Sequence, residues 1–477
     1  MEIFRSLLSV ANRFIKFVDA NMKSALLAKS EFAGMNNITY SQAELVVATW
    51  AFDGNTNIES FDELQYFKSL IVCPTFYRCS NLQSITIPDN ITTIPANCFY
   101  GCIDVLFGNI SKNVTSVGND AFNGCTELEE VEFKDITFTT LKPNVFKNCT
   151  NLIKADIPNV TSIGDNAFDG CTNLTTITFD WSKITAIGVE AFKNCNALAI
   201  SSITFDANSV LTNIYSSVSK DGPFKGSSIK NITINNNQMT TLGGFKGTSM
   251  TSVIAPNVIS IANYAFQQAS VTNIMSFPNV TIIGNYAFYQ TSFGNNKIDL
   301  YNIVKFNDNA FWGSLSLYSL GDNFNWSTVK YIGSGVFNST RITMPRELNC
   351  KIIGHQAFNL DAGGSYPNVN NKNETYVIFR FDGSDISDIN DYPTGANGQG
   401  LIRKGVVGFI PYLTFKQSPL GGIQVVYVPD SNPDENNKTI KDYYLESIWA
   451  QLTIPNSNTL LSFRTYSEAQ ADGVTIT

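Results

Sequence analysis

Charge is scarce in this chain. Asp, Glu, Lys and Arg make up 15% of its 477 residues, against a typical share of about 25%. The net charge is −8 and no basic stripe is present, which argues against nucleic acid as a partner. There is one histidine, His355. A catalytic imidazole needs a nucleophile and an orienting acid, and His355 reads instead as a surface residue, in a slot held elsewhere by Asn119, Asp165 and Asn285. No apolar run reaches the roughly 20 residues of a membrane span. The cysteines form no Cys-x-x-Cys pair, so a zinc centre has little support. Residues 1–18 are amphipathic, with Phe4, Leu7, Leu8, Ala11, Phe14, Ile15 and Val18 at helical spacing, but Glu2, Arg5, Arg13 and Lys16 interrupt them. This is no convincing signal peptide: either a signal has been removed or the protein is not exported by that route.

What the chain does have is a repeated phrase: a small residue, Phe, two more residues, then a small polar one. Asn97-Cys98-Phe99-Tyr100-Gly101-Cys102 and Asn166-Ala167-Phe168-Asp169-Gly170-Cys171 are two copies. The anchor Phe recurs at 76, 99, 122, 146, 168, 192, 224, 245, 266, 288, 311, 337 and 358, mostly at intervals of 21 to 24 residues. A fixed period in this range predicts a solenoid. Before each anchor lies a run such as Leu174-Thr175-Thr176-Ile177-Thr178-Phe179, whose alternation predicts a short strand with one face inward. Pro88, Pro158, Pro256 and Pro278 close such strands, since Pro cannot donate to a ladder. A second short apolar element follows, often backed by Gly, as in Ile163-Gly164 and Ile283-Gly284. Gly there is expected to supply a turn of unrestricted φ, and the Ala-Phe pair a short helical turn. No coil buries its apolar edge alone; stacked coils do, Phe on Phe.

Six of the nine cysteines (Cys79, Cys102, Cys125, Cys149, Cys171 and Cys195) occupy one slot, three residues after the anchor. From Phe224 onward that slot holds Ser227, Thr248, Ala269, Thr291, Ser314 and Thr340. A slot that accepts Ala reads as packing rather than as a ligand set or disulfide framework.

The phrase running from Thr161-Ser162-Ile163-Gly164 to Thr172-Asn173-Leu174 resembles the BspA-like leucine-rich repeat family of bacterial surface proteins, and the resemblance extends over about residues 73–360. It implies a β-rich, right-handed curved leucine-rich repeat solenoid, binding of host matrix proteins or other cells in several members, and no catalytic residues or cofactor. The ends are similar to family caps. Residues 1–70 form a helical N-terminal cap, 71–360 the solenoid, and 361–477 irregular final repeats with a closing helix over Ile440–Trp449. The N-terminal module is similar to a degenerate EF-hand. Its loop, Glu31 to Gln42, has Ala33, Met35 and Asn36 where calcium chemistry needs carboxylates and a Gly, so a metal-free cap is expected.

Candidate binding positions face outward from the strands: Glu129, Glu130 and Glu132; Thr175, Thr176 and Thr178; Lys230, Asn231 and Thr233. Such a hydroxyl, amide and carboxylate face serves either as a protein- or glycan-binding surface or simply as a soluble one. Trp181, Trp312 and Trp326 are candidate aromatic contacts, or pack against irregular coils. Insertions over Ala199–Gly222 and Leu315–Lys330, and the aperiodic region 361–424, are where loops emerge. Asp382, Asp385, Asp388 and Asp391 are too regularly spaced in one loop to suggest a glycosidase pair. The expected role is a non-catalytic recognition module of a cell surface, or else a structural or host-contact protein of a bacterial virion.

Overall fold

The coil around Phe168 shows how the period becomes structure. Leu152, Ala155, Ile157, Val160, Ile163, Ala167, Phe168 and Cys171 all point inward and are buried, while most of the intervening residues keep contact with solvent. Two short strands, Lys154–Asp156 and Ser162–Ile163, carry this pattern. The computed structural model describes residues 13–133, 138–198 and 222–343. It adds only residues 203–205, 211, 214, 347–348, 350, 352–353, 357–358, 376–379, 425–428, 462–465 and 467. His355, the loop of spaced aspartates, the expected strand at 405–410 and the expected closing helix lie outside the described residues.

The chain divides into two compact units, Met1–Lys230 and Asn231–Thr477. Both are parallel β-solenoids. In the first, Lys154–Asp156 pairs with Glu130–Glu132 and with Thr176–Thr178, register Val131, Ala155, Ile177. A second narrow sheet joins Thr140–Leu141, Ser162–Ile163 and Ala186–Ile187. In the second unit, Asn231–Ile234, Ser249–Ile254 and Ser270–Phe277 pair in parallel. Its narrow sheet runs from Thr241–Leu242 through Ser260–Ile261, Ile282–Ile283, Lys305–Phe306 and Tyr331–Ile332 to Ile352–Ile353. Beyond the last anchor, Tyr376–Phe379, Val425–Val428 and Ser462–Thr465 still pair in parallel, although the sequence period has gone.

The anchor rings stack. In the first unit Phe52, Phe76, Phe99, Phe122, Phe146, Phe168, Phe192 and Phe224 form one column, with consecutive centroids 5.3 to 5.8 Å apart. In the second, Phe245, Phe266, Phe288, Phe311, Phe337 and Phe358 do the same at 4.9 to 5.7 Å. The long intervals leave the columns intact: Phe192 and Phe224 are 5.4 Å apart and 6° from parallel, Phe311 and Phe337 5.7 Å and 10°. The described residues of these intervals include buried ones, Ile203 and Phe205 in the first and Leu317, Leu320 and Val329 in the second. The first column begins at Phe52, a coil earlier than the run from Phe76 indicated.

Ahead of it come the helix Ala20–Leu27 and the short helix Tyr40–Glu44. Asp19 caps the first helix through the Asn21 N–H and also accepts the Glu59 and Ser60 N–H groups, tying the helix to the first strand. Gln42, at the end of the calcium-type loop, completes a capping box with Thr39; Glu31 is exposed and accepts from the Ser30 hydroxyl.

Two local expectations are corrected. The anchor segment is not a helical turn. The N–H groups of Asn166, Phe168 and Gly170 donate to the carbonyls of Val189, Ala191 and Lys193 in the next coil, while Ala167, Asp169 and Cys171 close turns within their own coil. This zigzag requires left-handed backbone two residues before and after the anchor, as at Asn166 (φ 53°) and Gly170 (φ 80°), which is why Asn and Gly recur there. The Gly behind the second strand has a different cause. Gly164 has no left-handed φ; a Cβ on it would stand 2.6 Å from the Pro143 nitrogen and 2.7 Å from the Lys142 carbonyl carbon. The preceding coil's backbone leaves no room. Gly164→Ala is expected to cost about 2–3 kcal/mol through this overlap, read as a lower midpoint in urea; a variant as stable as the parent would refute the steric cause.

Candidate functional site

The interior slots are used up in holding coils together. Each slot thiol donates to the carbonyl of the preceding anchor: Cys102 to Phe76 (3.0 Å), Cys125 to Phe99 (3.2 Å), Cys149 to Phe122 (3.1 Å), Cys171 to Phe146 (3.0 Å) and Cys195 to Phe168 (3.2 Å). In the second unit the hydroxyls of Thr291 and Ser314 make the same bond to Phe266 and Phe288, at 2.7 and 2.6 Å. The slot is thus a donor position as well as a packing one; Ala269 forgoes the bond, and the Ser227 and Thr340 hydroxyls donate to their own anchors, Phe224 and Phe337, at 2.6 and 2.8 Å. All nine thiols are free and buried. Burial pushes the Cys79 thiol up to about 11 and raises the Cys102, Cys125, Cys149, Cys171 and Cys195 thiols well above the ordinary range as well. A protonated thiol is what donation requires, and it is a poor nucleophile and metal ligand. Among the described residues no group of three or more His, Cys, Asp or Glu is placed to hold a metal ion.

The slot three residues before the anchor is likewise structural. The side chains of Asp165, Asn263, Asn285 and Asp308 accept the N–H groups of Val189, Asn285, Asp308 and Ser334 in the following coil.

The outward strand positions differ from rung to rung. Glu129 and Glu130 are exposed and Glu132 half-buried. Across the register, Glu130 faces Lys154 and then Thr176; Glu132 faces Asp156 and then Thr178. Lys154 Nζ lies 2.9 Å from Glu132 Oε1, and that bond holds its ammonium above the ordinary lysine range. The Thr178 hydroxyl donates to Asp156, and Thr175 to the Ile153 carbonyl at 3.2 Å. The acidic trio therefore carries a local counter-charge and fades into hydroxyls. Lys230 is exposed, Asn231 and Thr233 half-buried; Asn231 accepts the Ser252 hydroxyl at 2.7 Å.

The three tryptophans separate. Trp181 sits on a short 3-10 turn capped by Asp180, its ring 4.6 Å from Phe179 and 6.1 Å from Phe192. Trp326 repeats this after Asn325, 4.9 Å from Phe324 and 5.9 Å from Phe337. Both are half-buried props for the Phe columns. Trp312 directly follows an anchor and is 38% exposed, beside Tyr289 at 6.0 Å. Sequence reasoning passed over the tyrosines around it: Tyr264 and Tyr286 stack at 5.4 Å, and Tyr289 meets Tyr286 at 5.7 Å. Their position two before or one after an anchor was the available signal.

Among the described residues no helix is long and apolar enough to cross a membrane. No curated protein matches the chain. Solved structures similar to it include a leucine rich cell surface protein from Faecalibacterium prausnitzii A2-165, with 20% identity over 56% of this chain and 75% of that one, TM-score 0.34. A leucine-rich repeat protein from Bacteroides ovatus ATCC 8483 is 19% identical over 62% of this chain and 70% of that one, TM-score 0.32. The model of the BspA type leucine rich repeat region matches residues 21–107, 69–199, 182–244 and 242–362. These segments take in well over half of the sequence and the coils described above, and the chain belongs to the BspA-type leucine-rich repeat family.

Proposed function

We propose that this protein is a non-catalytic recognition module of a cell surface, binding a protein or glycan through the outward positions of its coils. One observation carries the reading. Interior slots repeat the same residues and the same bonds from coil to coil, whereas exposed slots change chemistry at nearly every rung, from Glu129 and Glu130 to Thr175 and Thr176. A scaffold needs only the first property; a binding surface needs the second.

The test is an array of immobilised extracellular-matrix proteins and glycans, probed with the parent and with a Thr176→Arg/Thr178→Arg double variant. The parent is expected to retain at least one ligand. Both threonines are exposed, so the variant should melt within a few degrees of the parent, and loss of a ligand in it assigns that ligand to the first unit's face. A blank array across both classes would overturn the reading.

A further inference from the structure

The second unit holds a stretch unlike the rest of the chain. Between Lys246 and Lys297 there is no Asp, Glu, Lys, Arg or His. In the same stretch the position two residues before the anchor, left-handed in coil after coil, changes type. Asn97, Asp120, Asn144, Asn166 and Asn309 occupy it in most other coils, and Glu190 in one, at φ 53° to 58°. The coils of Phe266 and Phe288 place Tyr264 (φ 59°) and Tyr286 (φ 54°) there. Asn tolerates this backbone; a bulky aromatic does so at a cost. Two aromatics kept on this backbone in consecutive coils point to a use for the side chains.

The rings make a surface. Tyr264 and Tyr286 lie 3° from parallel, Tyr289 turns its edge to Tyr286, and Trp312 turns its edge to Tyr289. The strip spans three successive coils, those of Phe266, Phe288 and Phe311, and none of its rings is fully buried. In the same corners Gln268 and Gln290 are exposed, the carboxamide of Gln268 donating to that of Gln290 at 3.2 Å. Flat π faces are thus flanked by neutral donors and acceptors.

We infer that this strip is a binding site for a neutral glycan. The inference rests on the recognition reading and gives it a ligand class and a place. Nucleic acid would need cations on this face, and a charged peptide, an acidic glycan or an anionic lipid surface would need a counter-charge. Residues 247–296, which carry Tyr264, Gln268, Tyr286, Tyr289 and Gln290, offer neither. A pyranose ring has an apolar C–H face that lies on an aromatic ring and hydroxyls at its rim that pair with carboxamides, the combination found in small-molecule sites. Rings recurring at coil spacing offer successive sugars of one chain the same contact.

The experiment uses the full chain and two sets of probes. Cellohexaose, laminarihexaose, mannohexaose and chitohexaose are the neutral set; hyaluronan, a heparin oligosaccharide and immobilised matrix proteins are the other. At least one neutral hexasaccharide is expected to bind and to shift Trp312 fluorescence, with affinity nearly independent of salt, since no ions are exchanged. Tyr286→Asn and Trp312→Ala should each weaken it about tenfold or more, as loss of one stacking contact does. Tyr286→Asn installs the residue that Asn166 and Asn309 show to be at home in this slot, so it should raise the melting temperature while binding falls, a pairing that a merely structural tyrosine would not give. Neutral binding unaltered in both variants overturns the inference. Binding only to charged glycans or matrix proteins also overturns it and leaves the recognition reading standing; blank results with every probe remove both.

Discussion

Phe168→Ala is expected to lower the unfolding free energy of the first unit by about 3–5 kcal/mol, the loss seen when a fully buried Phe is truncated. Phe168 is wholly buried, with Phe146 at 5.5 Å on one side and Phe192 at 5.4 Å on the other. The cavity would open inside a column, where the neighbouring rings are fixed by their own coils and cannot collapse into it. The backbone argues the same way. The Phe168 N–H bonds Ala191 and its carbonyl receives the Cys195 thiol, so the coil cannot shift without breaking bonds to the next. Coils contact chiefly their neighbours, and a weak interface divides such a stack. Phe168→Ala should therefore both lower the urea midpoint and broaden the transition, while Phe168→Leu costs only about 1–2 kcal/mol. Thr178→Ala, at an exposed outward position in the neighbouring coil, is the control and should stay within about 0.5 kcal/mol. A Phe168→Ala variant that behaves like the control would refute the column as the source of stability.

The Phe column was legible in the sequence because burial repeats with the period, and the eye needs only one residue type to follow it. Its first member was missed for a simple reason. Ala51-Phe52-Asp53-Gly54 matches Ala167-Phe168-Asp169-Gly170, but Asn55 stands in the cysteine slot, and the residues ahead of it form helices rather than a coil. Gly164 was given the wrong cause. Its φ is ordinary and what excludes a side chain is the backbone of residues 142–143, a distance between coils that no single repeat contains. The donor role of the cysteine slot was hidden likewise, since the acceptor carbonyl lies 25 or more residues away. Outward strand positions were readable from alternation alone, whereas the counter-charge that Lys154 gives Glu132 depends on register. Tyr264 and Tyr286 look like ordinary substitutions until the left-handed backbone beneath them is known. In a solenoid, then, a sequence displays what happens within one turn and conceals what happens between turns.

The thiol slot leads to a prediction about pH. In an unfolded chain a cysteine ionises near its ordinary value, about 8.5. In the folded first unit burial holds Cys79 protonated up to about 11, and raises Cys98, Cys102, Cys125, Cys149, Cys171 and Cys195 as well. Above pH 8.5 the folded state therefore binds more protons than the unfolded one, and stability falls as pH rises. The thiols' stabilisation is complete below about pH 8.5 and drains away as pH climbs toward the folded values. Each thiol that ionises only on unfolding steepens this fall by up to about 1.4 kcal/mol per pH unit, so several acting together weigh heavily against the roughly 5–15 kcal/mol stability of a typical domain. The first unit is therefore expected to unfold as pH rises above about 8.5. In the second unit the same slot holds Thr248, Ala269, Thr291, Ser314 and Thr340, and only Cys350 is a raised thiol, so it should hold to higher pH. Circular dichroism and thiolate absorbance, followed together from pH 7 upward under a reducing agent, test this. Two alkaline transitions are expected, with thiolate appearing in the first. Replacing Cys102, Cys125, Cys149, Cys171 and Cys195 by Ser keeps a donor in each slot and should move that first transition upward. Thiolate absorbance rising while the fold stays intact would show that these thiols are not sealed inside the coils.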